Sequence, residues 1–207
     1  MTELPANDLP DRPPAGWSPS TLVVTLYGGL TLTAIVWRAS RGDANVFVHP
    51  GVAARSPLLA PLAGLAGGLG VVWLSRLAVT HFRWARRLHT DFKAVLGPLD
   101  RKEIFLIALA SSVGEECFFR GAMLPDLGLL TSSAIFALFH VGPGWRFLPW
   151  TVSAFAVALL MGWAFQAFGS LAAPIAGHFA VNYLNLRYIV ETETEPLAEE
   201  AASEPPP

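Results

Sequence analysis

The stretch Ser111-Ser112-Val113-Gly114-Glu115-Glu116-Cys117-Phe118-Phe119-Arg120 places two adjacent carboxylates and an arginine inside an apolar run long enough to enter a bilayer. An ionised side chain at the bilayer centre costs about 2.5–3.5 kcal/mol on insertion scales. A chain carrying three of them so close together must fold so that they meet partners rather than lipid.

The 207 residues are enough for one domain, 53% of them are hydrophobic and only 14% are charged. Ordinary soluble domains carry about 25% charged residues. The shift predicts an all-α, polytopic membrane helix bundle. Seven tryptophans suit rings placed at the lipid interface. The formal charge of −2 says little, because the charges are segregated along the chain. No nucleic-acid partner is expected; the lipid bilayer is. Cys117 is the single cysteine, which excludes an intramolecular disulfide and a cysteine-based zinc site. Arg outnumbers Lys twelve to two, and the chain is rich in Ala, Gly and Pro, a composition that suggests a bacterial gene.

Residues 1–20 are polar and proline-rich and read as a disordered tail. They lack a convincing cleavage site, so the first apolar run is expected to be a retained span. Six apolar segments follow: Thr21–Trp37, Pro57–Leu77, Glu103–Leu124, Leu127–Val141, Phe147–Phe168 and Leu171–Val190. A span needs about 20 residues, so about six transmembrane helices are predicted, the fourth short. The connection around Pro125-Asp126 must be tight. Small residues four apart, Ala110 with Gly114 and Ala173 with Gly177, let helices approach closely. The domain is placed at 21–190. The 191–207 tail holds six glutamates and no basic residue, and reads as solvated and disordered.

The connection between the second and third spans carries Arg83, Arg86, Arg87, Lys93, Arg101 and Lys102. It reads as an amphipathic piece lying on the cytoplasmic surface. Both termini then fall in the cytoplasm of a multi-pass protein of the cell inner membrane. Arg38, Arg41 and Arg55 would lie outside, against this orientation.

Glu116 and Arg120 are i, i+4 on a helix and can pair. Glu115 projects about 100° away and has no partner in its own helix. An unpaired, desolvated carboxylate is suited to general-base or proton-shuttle chemistry. Two histidines fall in other apolar segments, His140 in Phe136-Ala137-Leu138-Phe139-His140 and His178 in Gly177-His178-Phe179-Ala180-Val181-Asn182. Asn182 shares a face with His178. A lone intramembrane histidine is usually a packing residue, but these groups on three spans are better explained by convergence on one site. His49, His81 and His89 lie in connections and are assigned no role.

The ordered set Glu-Glu-x-x-x-Arg, Phe-x-x-x-His and His-x-x-x-Asn resembles the CPBP family of intramembrane proteases. This family includes CAAX prenyl endopeptidases of the Ras-converting type and bacterial Abi-type proteins. The three motifs run from Glu115 to Asn182, about a third of the chain. The resemblance implies that Glu115 activates a water with help from His140, and that Glu116 and Arg120 form a supporting ion pair. It implies that His178 and Asn182 stabilise the oxyanion of the scissile carbonyl, and that Phe136 packs. A preoriented amide in a dry site suits that task. The expected substrate is a membrane-associated protein or peptide, cut near its C-terminus.

Metal dependence is open at this stage. Metal-free glutamate catalysis is favoured, but Glu115, His140 and His178 are also a plausible zinc set, with three N/O ligands and an open position. Other protease chemistries fit worse. There is no His-Glu-x-x-His motif, no nucleophilic serine segment and no aspartate pair. A thiol in so acidic and apolar a setting as that of Cys117 is a poor nucleophile, and it reads as packing. The alternatives to a protease are a non-catalytic membrane immunity or scaffold protein with a buried polar core, and a proton-coupled transporter. The transporter is disfavoured because no repeat pair with interrupted helices is visible.

Overall fold

The computed structural model describes residues 19–193, with side chains from Thr21 onward. The predicted N-terminal tail up to residue 18 and the C-terminal tail beyond Glu193 therefore lie outside the described residues, while Pro19 and Ser20 belong to the first helix. Among the described residues there are seven α-helices: α1 (Pro19–Ser40), α2 (Leu59–His81), α3 (Arg83–Leu96), α4 (Arg101–Glu115), α5 (Leu124–Leu138), α6 (Leu148–Phe168) and α7 (Ala172–Glu191). A π-helical segment, Glu116–Met123, joins α4 to α5, and a short 3-10 turn, Trp145–Phe147, precedes α6. Among the described residues there is no β-strand, only an isolated bridge between Val48 and Ser170. The predicted all-α bundle is what forms.

Among the described residues four stretches are apolar and long enough to cross a membrane by length and composition: Thr21–Ser40, Leu59–His81, Arg101–Leu138 and Trp145–Phe168. Leu22, Leu26, Leu32 and Val36 of α1 and Leu62, Leu69, Trp73 and Leu74 of α2 are exposed, whereas Glu115, Glu116 and Arg120 are buried. An apolar outside around a charged inside marks a multi-pass membrane protein. The third stretch is two legs. Along a straight helix Phe119 and Phe136 would stand about 25 Å apart, yet their ring centroids are 5.0 Å apart. The reversal occurs at Gly128, whose φ of 80° and ψ of 169° interrupt the helix. This backbone conformation is essentially restricted to glycine. The predicted turn at Pro125-Asp126 is thus displaced: Pro125 is tolerated in the first turn of α5, where its missing N–H costs nothing. Asp126 instead accepts from Trp37 Nε1 (2.8 Å) and pairs with Arg41 (2.9 Å), tying the turn to the end of α1.

The sixth predicted segment becomes α7, which is not among the four apolar stretches. Its 20 residues include His178, Asn182, Asn185, Arg187 and Glu191, which lower its hydropathy. It is shielded by close packing on α2. A Cβ on Gly64 would lie 1.8 Å from the Ala173 carbonyl oxygen, and one on Gly68 would lie 2.4 Å from that of Gly177. The close approach expected at Ala173 and Gly177 therefore forms, and Gly64 and Gly68 of α2 complete it. Gly114 does the same for α1, meeting the backbone of Tyr27.

The basic connection forms α3, entered after the extended Phe82 and closed by Gly97 at φ 63°. Its Ala85 and His89 are buried, one turn apart, while Phe82 and Trp84 remain exposed and stacked. His89, assigned no role from sequence, lies against Tyr188, with Nε2 3.2 Å from the Thr192 carbonyl. Lys93 also reaches that carbonyl (3.2 Å) and pairs with Glu193. The first residues of the predicted acidic tail are thus held against α3. Asp100 then starts α4 with a capping box: its side chain accepts from Lys102 and Glu103 N–H, and Glu103 accepts from the Asp100 N–H.

The α1–α2 connection lies across the α6–α7 turn. Leu171 N–H donates to Phe47 O, His49 N–H to Gly169 O and Arg55 N–H to Phe168 O. Val46 is fully buried beneath it, and its carbonyl sits where a Cβ on Gly121 of the π-helical segment would come within 2.6 Å. The segment that carries the charges is fixed from both ends.

Candidate active site

The π-helical segment begins where the charges begin. Such segments alter the rotation between successive residues and recur at functional sites. Here Glu115 ends α4 and Glu116 opens the wider turn. Glu116 is fully buried, and its Oε1 accepts from Arg120 Nη1 at 3.0 Å. Arg120 Nη2 donates to the Ala158 carbonyl of α6 at 3.1 Å, and the guanidinium lies 4.6 Å from the centroid of Phe136. The pair predicted from i, i+4 spacing forms, and it also ties α6 and α5 to this level of the bundle.

Glu116 has a second partner that the spacing could not show. His178 Nδ1 lies 2.7 Å from the same Oε1. A carboxylate paired with arginine can only accept, so Nδ1 carries the hydrogen. That leaves Nε2 of His178 facing Glu115, at 3.8 Å from Oε2. His140 is oriented in the same manner. Its Nδ1 is 2.8 Å from the Phe136 carbonyl, which also can only accept. Its Nε2 therefore turns to Glu115, 4.0 Å from Oε2. Thr151 Oγ1 donates to the His140 carbonyl at 2.7 Å, and Phe136 stacks on the imidazole at 4.3 Å. Phe136 is buried between His140 and Arg120, so it packs as expected and orders both at once.

Asn182 stands one turn beyond His178 on α7 and donates from Nδ2 to Ser111 Oγ at 2.9 Å. Ser111 is itself one turn before Glu115 on α4. The two helices thus meet in two rungs, Glu115 with His178 and Ser111 with Asn182. All six polar residues singled out from sequence are gathered at this level. Cys117, beside them in sequence, faces away into an apolar cluster with Ala34, Val46, Leu124, Phe165 and Leu171.

Three contributors were not found by sequence reasoning. Ser111 lay inside the decisive stretch but is an unremarkable residue type there. Tyr27 of α1 interacts with the Glu115 carboxylate through its hydroxyl, and no pattern in the first span points to it. Trp150 of α6 packs edge-on against His140 at 5.3 Å and continues to Phe92 of α3 at 5.0 Å. That contact links the surface helix to the site.

Glu115 Oε2 is buried and has no hydrogen-bond partner, and two imidazole nitrogens face it. Such an arrangement can bind and polarise a small molecule that donates and accepts hydrogen bonds. Among the described residues no three His, Cys, Asp or Glu side chains form a group that could hold a metal ion.

Residues 100–184 match the family described as type II CAAX prenyl endopeptidase Rce1-like. The uncharacterised protein YpbD of Bacillus subtilis (strain 168) is 32% identical over 82 residues, covering 38% of this chain and 41% of YpbD. The match thus takes in less than half the length of that relative. No solved structure matches. The stretch that builds this site, from the capping Asp100 through His178 and Asn182, is the stretch that matches the CAAX prenyl endopeptidase family, as the three ordered motifs indicated.

Proposed function

We propose that this chain is an intramembrane endopeptidase that hydrolyses a peptide bond of a membrane-associated protein or peptide by metal-free, glutamate-activated water. One observation carries the reading. The buried, unpartnered Glu115 Oε2 faces His140 Nε2 at 4.0 Å and His178 Nε2 at 3.8 Å. These separations are too long for direct hydrogen bonds, and one shared water oxygen, bonded at about 2.8 Å to each neighbour, spans such a distance.

The roles follow from the hydrogen-bond directions. A water held between Glu115 and His140 donates its hydrogens to Oε2 and to Nε2, which leaves an oxygen lone pair for the carbonyl carbon. Glu115 takes the proton as the carbon–oxygen bond forms, and returns it to the leaving amine as the peptide C–N bond breaks. The Asn182 amide and the His178 imidazole, held through Nδ1 by Glu116, stabilise the developing oxyanion. Glu116 and Arg120 keep His178 in place and take no part in the proton transfers.

The orientation favoured is with α3 cytoplasmic in the inner membrane. Arg83, Arg86, Arg87, Lys93, Arg101, Lys102 and Arg146 cluster towards that end, against Arg38, Arg41 and Arg55 at the other. A substrate cut near its C-terminus would reach His140 beside α3, where the His140 side chain is 21% exposed.

The test is cleavage by purified protein reconstituted in liposomes with membrane proteins of its source, followed by mass spectrometry of new termini. Wild-type protein should generate them; Glu115→Gln and His140→Ala should not, while both remain folded. Undiminished cleavage by both variants would overturn the reading and leave the site as a buried polar core.

A further inference from the structure

We propose that Ser111 is a positioning residue that fixes which way the Asn182 amide points; this rests on the endopeptidase reading above. Ser111 is 3% exposed, and its hydroxyl donates to the Ala108 carbonyl of its own helix at 3.3 Å. A hydroxyl has one hydrogen to give. With that hydrogen committed to a group that can only accept, Oγ is left as an acceptor. It takes a hydrogen bond from Asn182 Nδ2 at 2.9 Å.

The chain of donors therefore decides an ambiguity that Asn182 cannot settle alone. A primary amide is nearly symmetric in shape, and flipping it exchanges two donors for an acceptor at the same place. An oxyanion needs the donor face; the acceptor face would repel it. The Ala108 carbonyl polarises Ser111, and Ser111 selects the orientation with NH2 on the α4 side. The second N–H of that same nitrogen remains for substrate. The placement is suitable, because the Ser111–Asn182 rung lies one helical turn, about 5–6 Å, from the Glu115–His178 rung.

A serine between two helices in a membrane also serves as simple glue. The two roles separate in a double-mutant cycle on the reconstituted full-length protein. Ser111→Ala should lower kcat about 10- to 100-fold with KM nearly unchanged, since the lost alignment matters only as charge develops. In an Asn182→Ala background the same change should lower kcat by less than about twofold. If Ser111→Ala does not fold, Ser111→Cys replaces the oxygen acceptor by a weak one at similar size, and the same two-background pattern is expected.

Equal losses in both backgrounds would overturn the proposal in favour of glue, and so would no loss in the wild-type background. If Asn182→Ala itself cleaves at the wild-type rate, the amide has no role to be positioned and the proposal falls. If the wild type cleaves nothing, the endopeptidase reading fails first and the proposal with it.

Discussion

Glu116 Oε1 receives a hydrogen bond from His178 Nδ1 at 2.7 Å, while its neighbour Glu115 faces the other nitrogen of the same ring at 3.8 Å. One imidazole thus distinguishes two adjacent carboxylates. Both carboxylates keep a buried Oε2 without a hydrogen-bond partner, but Glu116 is tied through Oε1 to Arg120 and His178, whereas Glu115 Oε2 faces the Nε2 atoms of His140 and His178.

The two carboxylates should therefore respond in different ways to the same substitution. Glu116→Gln removes the countercharge of a buried Arg120 and should destabilise by about 3–5 kcal/mol, the usual cost of breaking such a pair from one side. Glu115→Gln places a neutral isostere at a carboxylate whose Oε2 has no hydrogen-bond partner, so it should cost no more than about 1 kcal/mol. Cleavage should instead fall by about 10²–10⁴-fold, the range for loss of a general base. Thermal unfolding in detergent and cleavage in liposomes, measured on the same preparations, would expose any other pattern.

At the Gly128 reversal, φ is 80°, and a Cβ there would meet nothing within 4 Å. Gly128→Ala should thus cost only the backbone strain, about 1–3 kcal/mol. Gly28→Ala is the control. It sits within α1, where a Cβ also meets nothing, and alanine there should stabilise by about 0.5–1 kcal/mol through a lower unfolded-state entropy. Equal melting temperatures for the two variants would contradict the placement of the turn.

How much of this was legible beforehand depended on whether the information was local. The Glu116–Arg120 pair is a matter of spacing on one helix, and the sequence sufficed. The grouping of His140, His178 and Asn182 with Glu115 needed only the argument that intramembrane polar groups must converge. Their connectivity did not follow, because it is decided by ring orientation: nothing in the spacing tells His178 to donate to Glu116 rather than to Glu115. The turn falls at Gly128, just past the tight connection expected around Pro125-Asp126, because proline is tolerated in a helix's first turn and the reversal needs a backbone conformation that glycine takes. Ser111 and Tyr27 were invisible as partners because a serine in α4 and a tyrosine in α1 acquire meaning only from what packs opposite.

His89 links α3 to the end of α7, and its pKa lies below the ordinary 6.5, chiefly because of burial. The Lys93 and Arg76 charges push the same way, and the Thr192 carbonyl and Glu193 oppose them. The folded state thus binds the proton less readily than the unfolded chain. Stability from this group is full above about 6.5 and declines as pH falls through that value towards the lower folded one. Wild-type protein should melt at a lower temperature near pH 5.5 than near pH 7.5, and His89→Phe, which keeps a ring against Tyr188, should narrow that difference. An undiminished pH effect in the variant would assign it to other groups.

The α2–α7 contact gives the strictest test of the fold, because it has no side chain to yield. A Cβ on Gly64 would lie 1.8 Å from the Ala173 carbonyl oxygen and 2.6 Å from its carbon, so backbone rather than a flexible side chain stands in the way. Gly64→Leu must therefore separate the helices. The separation acts on the site as well, since His178 and Asn182 are carried by α7 and adjoin Gly177, whose own Cβ would lie 2.7 Å from the Gly64 carbonyl oxygen. The expected result is loss of both thermal stability and cleavage in Gly64→Leu. Gly67→Leu, where a Cβ meets nothing within 4 Å, should retain both. The comparison holds residue type, helix and hydrophobicity nearly constant and varies only the face. Equal tolerance at the two positions would mean that α7 is not held against α2 by this contact, and that the alignment of His178 with Glu115 has another origin.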